Sequence, residues 1–184
     1  MVEVFFSYSH QDEDLRNELE KHLSLLKRQG VIDIWSDHRI GPGEELVSEI
    51  DQHLESADIV LLLVSPDFLN SDYCYDIEMT RAMERHEHRD ARVIPVILRP
   101  CDWQGAPFGK LKAIPTDGKP VTKHQTLDDA FLDVARAIRE LVQQLRPAST
   151  VIEHAESKPV DHTQEPSFNQ RARSSNLRVR QEFT

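Results

Sequence analysis

A chain of 184 residues and 21.2 kDa has room for one compact domain, or one domain plus a tail, but not for two full domains. Its 32 acidic against 22 basic side chains leave a net charge of −10, and no basic stripe is visible, which excludes nucleic-acid binding as the main activity. The longest apolar run, Ile59 to Val64, is far short of the roughly 20 residues of a membrane span.

The start, Met1-Val2-Glu3, carries no secretory signal pattern. Two distant cysteines, Cys74 and Cys101, offer neither a disulfide framework nor a structural zinc site. A cytoplasmic, reducing setting is expected.

In chain order, Val2 to Phe6 reads as a short strand. Leu15, Leu19, Leu23 and Leu26 recur at spacings of three and four, giving a helix that Gly30 ends as a left-handed cap. Val31 to Trp35 is a second strand, and Arg39-Ile40-Gly41-Pro42-Gly43 a loop. Leu46, Ile50 and Leu54 mark a second helix. Ile59 to Val64 is apolar at every position, as a strand covered on both faces requires, and Ser65-Pro66 stops it.

A helix is expected from about Asp72 to His86, with Arg85, His86 and His88 at its solvated end. Val93 to Leu98 is another apolar strand, and Pro100 to Pro120 is mostly loop. Thr126-Leu127-Asp128-Asp129 is a capping-box-like start. The helix that follows shows Leu127, Phe131, Val134, Ile138, Leu141 and Leu145 on one face. From Pro147 to Thr184 there are five acidic and five basic side chains, few apolar ones and no period. That stretch cannot bury enough surface to offset ordering entropy, so residues 147–184 read as a polar tail or linker behind a domain at 1–146.

Strands alternating with helices imply right-handed βαβ crossovers and a mostly parallel sheet with helices on both faces. Ligands in such folds sit beyond the carboxyl ends of the strands. Phe6 to His10, Trp35 to Gly43 and Ser65 to Glu78 should therefore surround one crevice. Within it, Glu78 stands in the first turns after the central strand, four residues after Cys74 and hence on the same helical face. Asp76, the competing carboxylate, would point about 200° away on an α-helix. Gly41-Pro42-Gly43 lacks the third glycine of a dinucleotide fingerprint, there is no Walker loop, and His86-Glu87-His88 is not a zincin motif. No metal is expected.

Val4-Phe5-Phe6-Ser7-Tyr8-Ser9-His10 resembles the first box of Toll/interleukin-1 receptor (TIR) domains, in the flavour of bacterial members. Ile34-Trp35-Ser36-Asp37 with Arg39 to Gly43 is similar to their second strand and BB loop, and Ser71 to Glu78 to their serine, aromatic, cysteine and glutamate box. The resemblance covers roughly Met1 to Arg146, in order. It implies a flavodoxin-like three-layer α/β fold with a parallel sheet of about five strands. It further implies NAD+ glycohydrolase activity, with Glu78 catalytic and NAD+ as substrate rather than cofactor. The product would be ADP-ribose or a cyclic form of it.

By the same resemblance, Phe6, Ser7, Tyr8, Trp35, Arg39, Ser71 and Tyr73 are candidate substrate-binding residues. The loop Arg39, Ile40, Gly41, Pro42 and Gly43 would mediate activating TIR–TIR self-association. A fused or partner sensor domain and a role in bacterial anti-phage defence are the implied setting. Many members place the glutamate three residues after the cysteine, with tryptophan before it; here the spacing is four, and Tyr73 replaces tryptophan. Ser7, Ser9 and Ser71 read equally as helix caps, Trp35 as a core aromatic, and Cys74 as packing rather than nucleophile. A non-enzymatic TIR–TIR signalling module is the competing reading. Flavin binding ranks third, because Asp12, Glu13 and Asp14 would repel a phosphate after the first strand.

Overall fold

The computed structural model describes residues 1–35 and 46–145, excepting the side chains of residues 46–49. Four parallel strands form its sheet among the described residues: β1 (Val2–Ser7), β2 (Ile32–Trp35), β3 (Ile59–Val64) and β4 (Arg92–Ile97), in the order β2-β1-β3-β4. The helices are α1 (Glu13–Arg28), α2 (Leu46–Ser56), the short α3 (Pro66–Leu69), α4 (Thr80–His88) and α5 (Leu127–Leu145). The expected tail lies outside the described residues.

Two apolar clusters, one on each face of the sheet, follow from the period of two along β1. Val2, Val4, Phe6 and Tyr8 pack with Leu19, Leu23 and Leu26 of α1 and with Phe131, Val134 and Ile138 of α5. Phe5 points the other way, toward Ile50 and Leu54 of α2 and Cys74, Met79 and Met83 beyond β3. Each fully buried leucine or phenylalanine contributes about 1.5–3 kcal/mol of transfer free energy. β3 is buried at every position because both faces are covered.

The expectation of about five strands is met by four and a remnant. Where a fifth would lie, Ile114 forms one parallel bridge with Val96, through Ile114 N to the Pro95 carbonyl and Ile97 N to the Ile114 carbonyl, both 2.9 Å. The ladder stops there because the Thr116 amide, next in line to extend it, donates instead to the Asp133 carboxylate at 2.8 Å.

Two sequence-based expectations need correction. The helix expected over Asp72 to His86 begins as a π-helix, Asp72–Met79, and becomes α-helical only from Thr80. Its end is not uniformly solvated. Arg85 is buried and donates to the carbonyls of Leu54, Ala57 (2.9 Å) and Asp90 (3.2 Å), joining α4 to the end of α2. His86 is half-buried and accepts the Val93 amide on Nδ1 at 3.1 Å, and only His88 is exposed. A guanidinium aimed at three orphan carbonyls is stabilised where a lone cation would not be.

Candidate functional site

Strand alternation decides which residue meets Glu78. With Phe6 and Tyr8 committed to the α1/α5 face, Ser7 falls on the face that carries Phe5 and the π-helix. Its backbone is in register with Leu62 of β3, so its position is set by the centre of the sheet. From there the Ser7 hydroxyl donates to Oε2 of Glu78 at 2.5 Å. Ser7 has no exposed surface and Glu78 is 6% exposed, so the bond forms largely out of water.

Ser71 starts the segment that presents Glu78. Its side chain accepts the Cys74 amide at 3.2 Å, an N-cap bond, and its carbonyl accepts the Tyr75 amide at 2.9 Å. A π-helix turns in about 4.4 residues, so four residues leave Glu78 about 33° short of Cys74, whereas an α-helix would carry it about 40° past. A three-residue spacing on an α-helix falls about 60° short. The wide turn therefore rotates Glu78 back toward the position that the commoner TIR spacing implies. Asp76 is exposed and turned from the site.

Above the carboxyl ends of β1 and β2 lies a cavity of about 550 Å³, and the Glu78 carboxylate lies in its wall. Phe5, Phe6, Tyr8, Trp35, Ile50, Tyr73 and Cys74 supply most of the remaining lining, and Ser9, His10, Gln11 and Ser71 add polar groups. Burial, with Glu78 close by, pushes the Tyr73 phenol up to about 12, so it stays protonated at neutral pH. Its hydroxyl is buried and has no hydrogen-bond partner among the described residues. A buried donor of that kind is uncommon. Burial also pushes the Cys74 thiol up to about 11, so it is a poor nucleophile; it donates instead to the Tyr8 carbonyl at 3.2 Å.

Of the residues expected at the site, Phe6, Tyr8, Trp35, Ser71, Tyr73 and Glu78 line this cavity together. Ser7 does not: its hydroxyl is directed at Glu78. Ser9 caps the short turn after β1, accepting the Gln11 amide at 3.4 Å. Trp35 is both core and wall, since its ring stacks on Phe5 (5.5 Å between centroids) and on His53 (4.4 Å). Arg39, Ile40, Gly41, Pro42 and Gly43 lie outside the described residues.

Two buried charges beside the cavity escaped the sequence reading. Arg16 is 2% exposed, with its guanidinium over the rings of Phe6 (5.8 Å) and Tyr8 (5.5 Å) and paired with Glu20 at 3.3 Å. The signal was available, because Arg16 precedes Leu19 by three on the apolar face of α1. Asp12, expected only as a charge that would repel a phosphate, has a structural role. It is buried, accepts the Ser65 hydroxyl and pairs with Arg99 at 2.8 Å; Arg99 also pairs with Asp67. Among the described residues no group of three or more His, Cys, Asp or Glu could hold a metal ion, and no helix is long and apolar enough to cross a membrane.

Comparison with known proteins bears on the family and the fold. The family model described as the TIR domain matches residues 4–130. An uncharacterised protein of Sinorhizobium fredii, y4lF, is 55% identical over 185 residues, covering 100% of this chain and 57% of the relative. The chain thus spans little more than half the length of that relative. Disease resistance protein RPP2B of Arabidopsis thaliana is 27% identical over 97 residues, 53% of this chain and 8% of that protein. Among solved structures, the TIR domain of the Toll-related receptor TRR-2 from Hydra magnipapillata superposes with a TM-score of 0.52 at 22% identity. The match covers 74% of this chain and 97% of that one, a likeness of fold. With more than half of its residues matched by the family model and a parallel α/β sheet of the corresponding kind, this chain belongs to the TIR domain family.

Proposed function

We propose that the chain is an NAD+ glycohydrolase activated by self-association, with Glu78 as the catalytic residue. The observation that carries this reading is the Glu78 carboxylate in the wall of a cavity at the carboxyl ends of the strands, braced from behind by Ser7. A volume of about 550 Å³ falls within the roughly 300–1,000 Å³ usual for small-molecule sites. Its aromatic walls suit a pyridine ring.

The chemistry asks little else of the protein. The bond from ribose C1′ to the pyridinium nitrogen breaks with its electron pair going to nitrogen, and nicotinamide leaves neutral without a general acid. Glu78 stabilises the positive charge that develops on the ribose, half of the two-carboxylate arrangement of glycosidases. Water then adds to C1′ and loses a proton to give ADP-ribose, or an adenine nitrogen adds to give a cyclic product.

Activation would come from head-to-tail contacts through the loop at Arg39 to Gly43, a heterologous geometry that propagates. Cytoplasmic anti-phage defence, with a fused or partner domain sensing the trigger, is the setting we infer.

The test is NAD+ consumption by the chain clustered on a crowding surface, beside Glu78→Gln. The native chain should consume NAD+ at a rate rising more steeply than its concentration, and the variant should lose about 100-fold or more. Equal consumption by both removes the assignment. No consumption by either, under forced clustering, favours a non-enzymatic association module.

A further inference from the structure

We infer that Ser7 is a positioning residue: it does not touch substrate but holds the plane of the Glu78 carboxylate. This rests on the reading of Glu78 given above, and reassigns a residue whose strand-end position made it a candidate for substrate contact.

Three observations support the assignment. Ser7 is wholly buried and absent from the cavity wall that its neighbours Phe6 and Tyr8 help to form. Its hydroxyl reaches Glu78 Oε2 at 2.5 Å. Its backbone is held at the end of β1 by pairing with Leu62 of the fully buried β3.

Glu78 needs such a brace. A long glutamate side chain loses rotamer freedom when it is fixed. The segment that carries it is a π-helix, a wide turn distinct from the α-helix that follows. A charge-assisted bond from an immobile hydroxyl fixes one carboxylate oxygen before substrate arrives. Among the described residues, the other polar groups lining this site are Tyr73 and Cys74, both held protonated by burial, with Ser9, His10, Gln11 and Ser71. None of these is mounted on the central strand as Ser7 is.

Steady-state kinetics on clustered protein test this with Ser7→Ala, Ser7→Thr and Glu78→Gln. A hydrogen bond to a charged group accounts for a factor of about 10–100, so Ser7→Ala should lower kcat by that much and leave KM within about twofold. Ser7→Thr, which restores the hydroxyl, should recover most of kcat even if its extra methyl lowers thermal stability. A second readout needs no turnover. The infrared difference between the native chain and Glu78→Gln isolates the Glu78 carboxylate band, and the same difference in the Ser7→Ala background should show that band displaced.

A rise in KM with kcat preserved would make Ser7 a substrate contact and overturn the inference; so would an unmoved carboxylate band. Should the native chain fail to consume NAD+ at all, the proposed activity falls, while the displaced or unmoved band still decides the role of Ser7.

Discussion

The Cys74 thiol donates to the Tyr8 carbonyl oxygen at 3.2 Å, tying the π-helix to the residue that follows Ser7 at the end of β1. The bond makes Cys74 a structural clamp across the floor of the cavity, and its protonation state agrees: burial holds the thiol near 11, far above neutral pH.

Thiol labelling separates this role from nucleophilic catalysis. At pH 7.5 an alkylating reagent should modify the half-exposed Cys101 first and Cys74 only at the rate of local opening. Cys74→Ala should lower the unfolding free energy by about 1–2 kcal/mol, seen as an earlier denaturation midpoint. Fast modification of Cys74 in the folded chain would contradict the clamp.

Deleting Asp76 tests the account of the π-helix. Asp76 is exposed, and its removal leaves Glu78 three residues after Cys74. The segment should relax to α-helical pitch with Glu78 turned by only about 27° (from about 33° to about 60° short of Cys74), a change the side chain absorbs. The deletion variant should fold with a circular dichroism spectrum like the native one and keep its NAD+ consumption within a few-fold. A collapse of activity with the fold intact would mean that the wide turn itself sets the site.

Stability should depend on pH through His86. Burial, then the nearby Arg92 and Lys110, hold its imidazole below the usual value of about 6.5, and neutral Nδ1 accepts the Val93 amide. The unfolded chain therefore binds the proton more readily than the folded one. The stabilisation is present above about pH 6.5 and is lost as pH falls through the lower folded value. Melting temperatures between pH 8 and pH 5 should decline more steeply for the native chain than for His86→Asn; parallel declines would remove His86 as the cause.

Much of the fold was legible because it rests on local periods. The leucines of α1 and the unbroken run Ile59 to Val64 state their burial without reference to any other segment, and Gly30 ends α1 with φ of +62° where a left-handed residue is needed. The buried charges were less legible. Arg85 read as part of a solvated helix end, and the burial of Arg16 and Asp12 was not foreseen, because their partners, the carbonyls of Leu54 and Ala57, the rings of Phe6 and Tyr8, and Ser65 with Arg99, are distant in sequence or come from other elements.

By itself, then, the sequence determined the alternation of strands and helices, the parallel sheet they imply, and the place of Glu78 in the first turns after β3. These depend on period, turn chemistry and crossover handedness, all written locally. Only the tertiary structure decided what Glu78 leans on. The partner of a side chain is fixed by which sheet face each strand residue takes once helices have packed, and by the pitch of the turn that delivers it. The bond from Ser7, 71 residues away in the chain, and the π-helix that brings the carboxylate to it belong to that level.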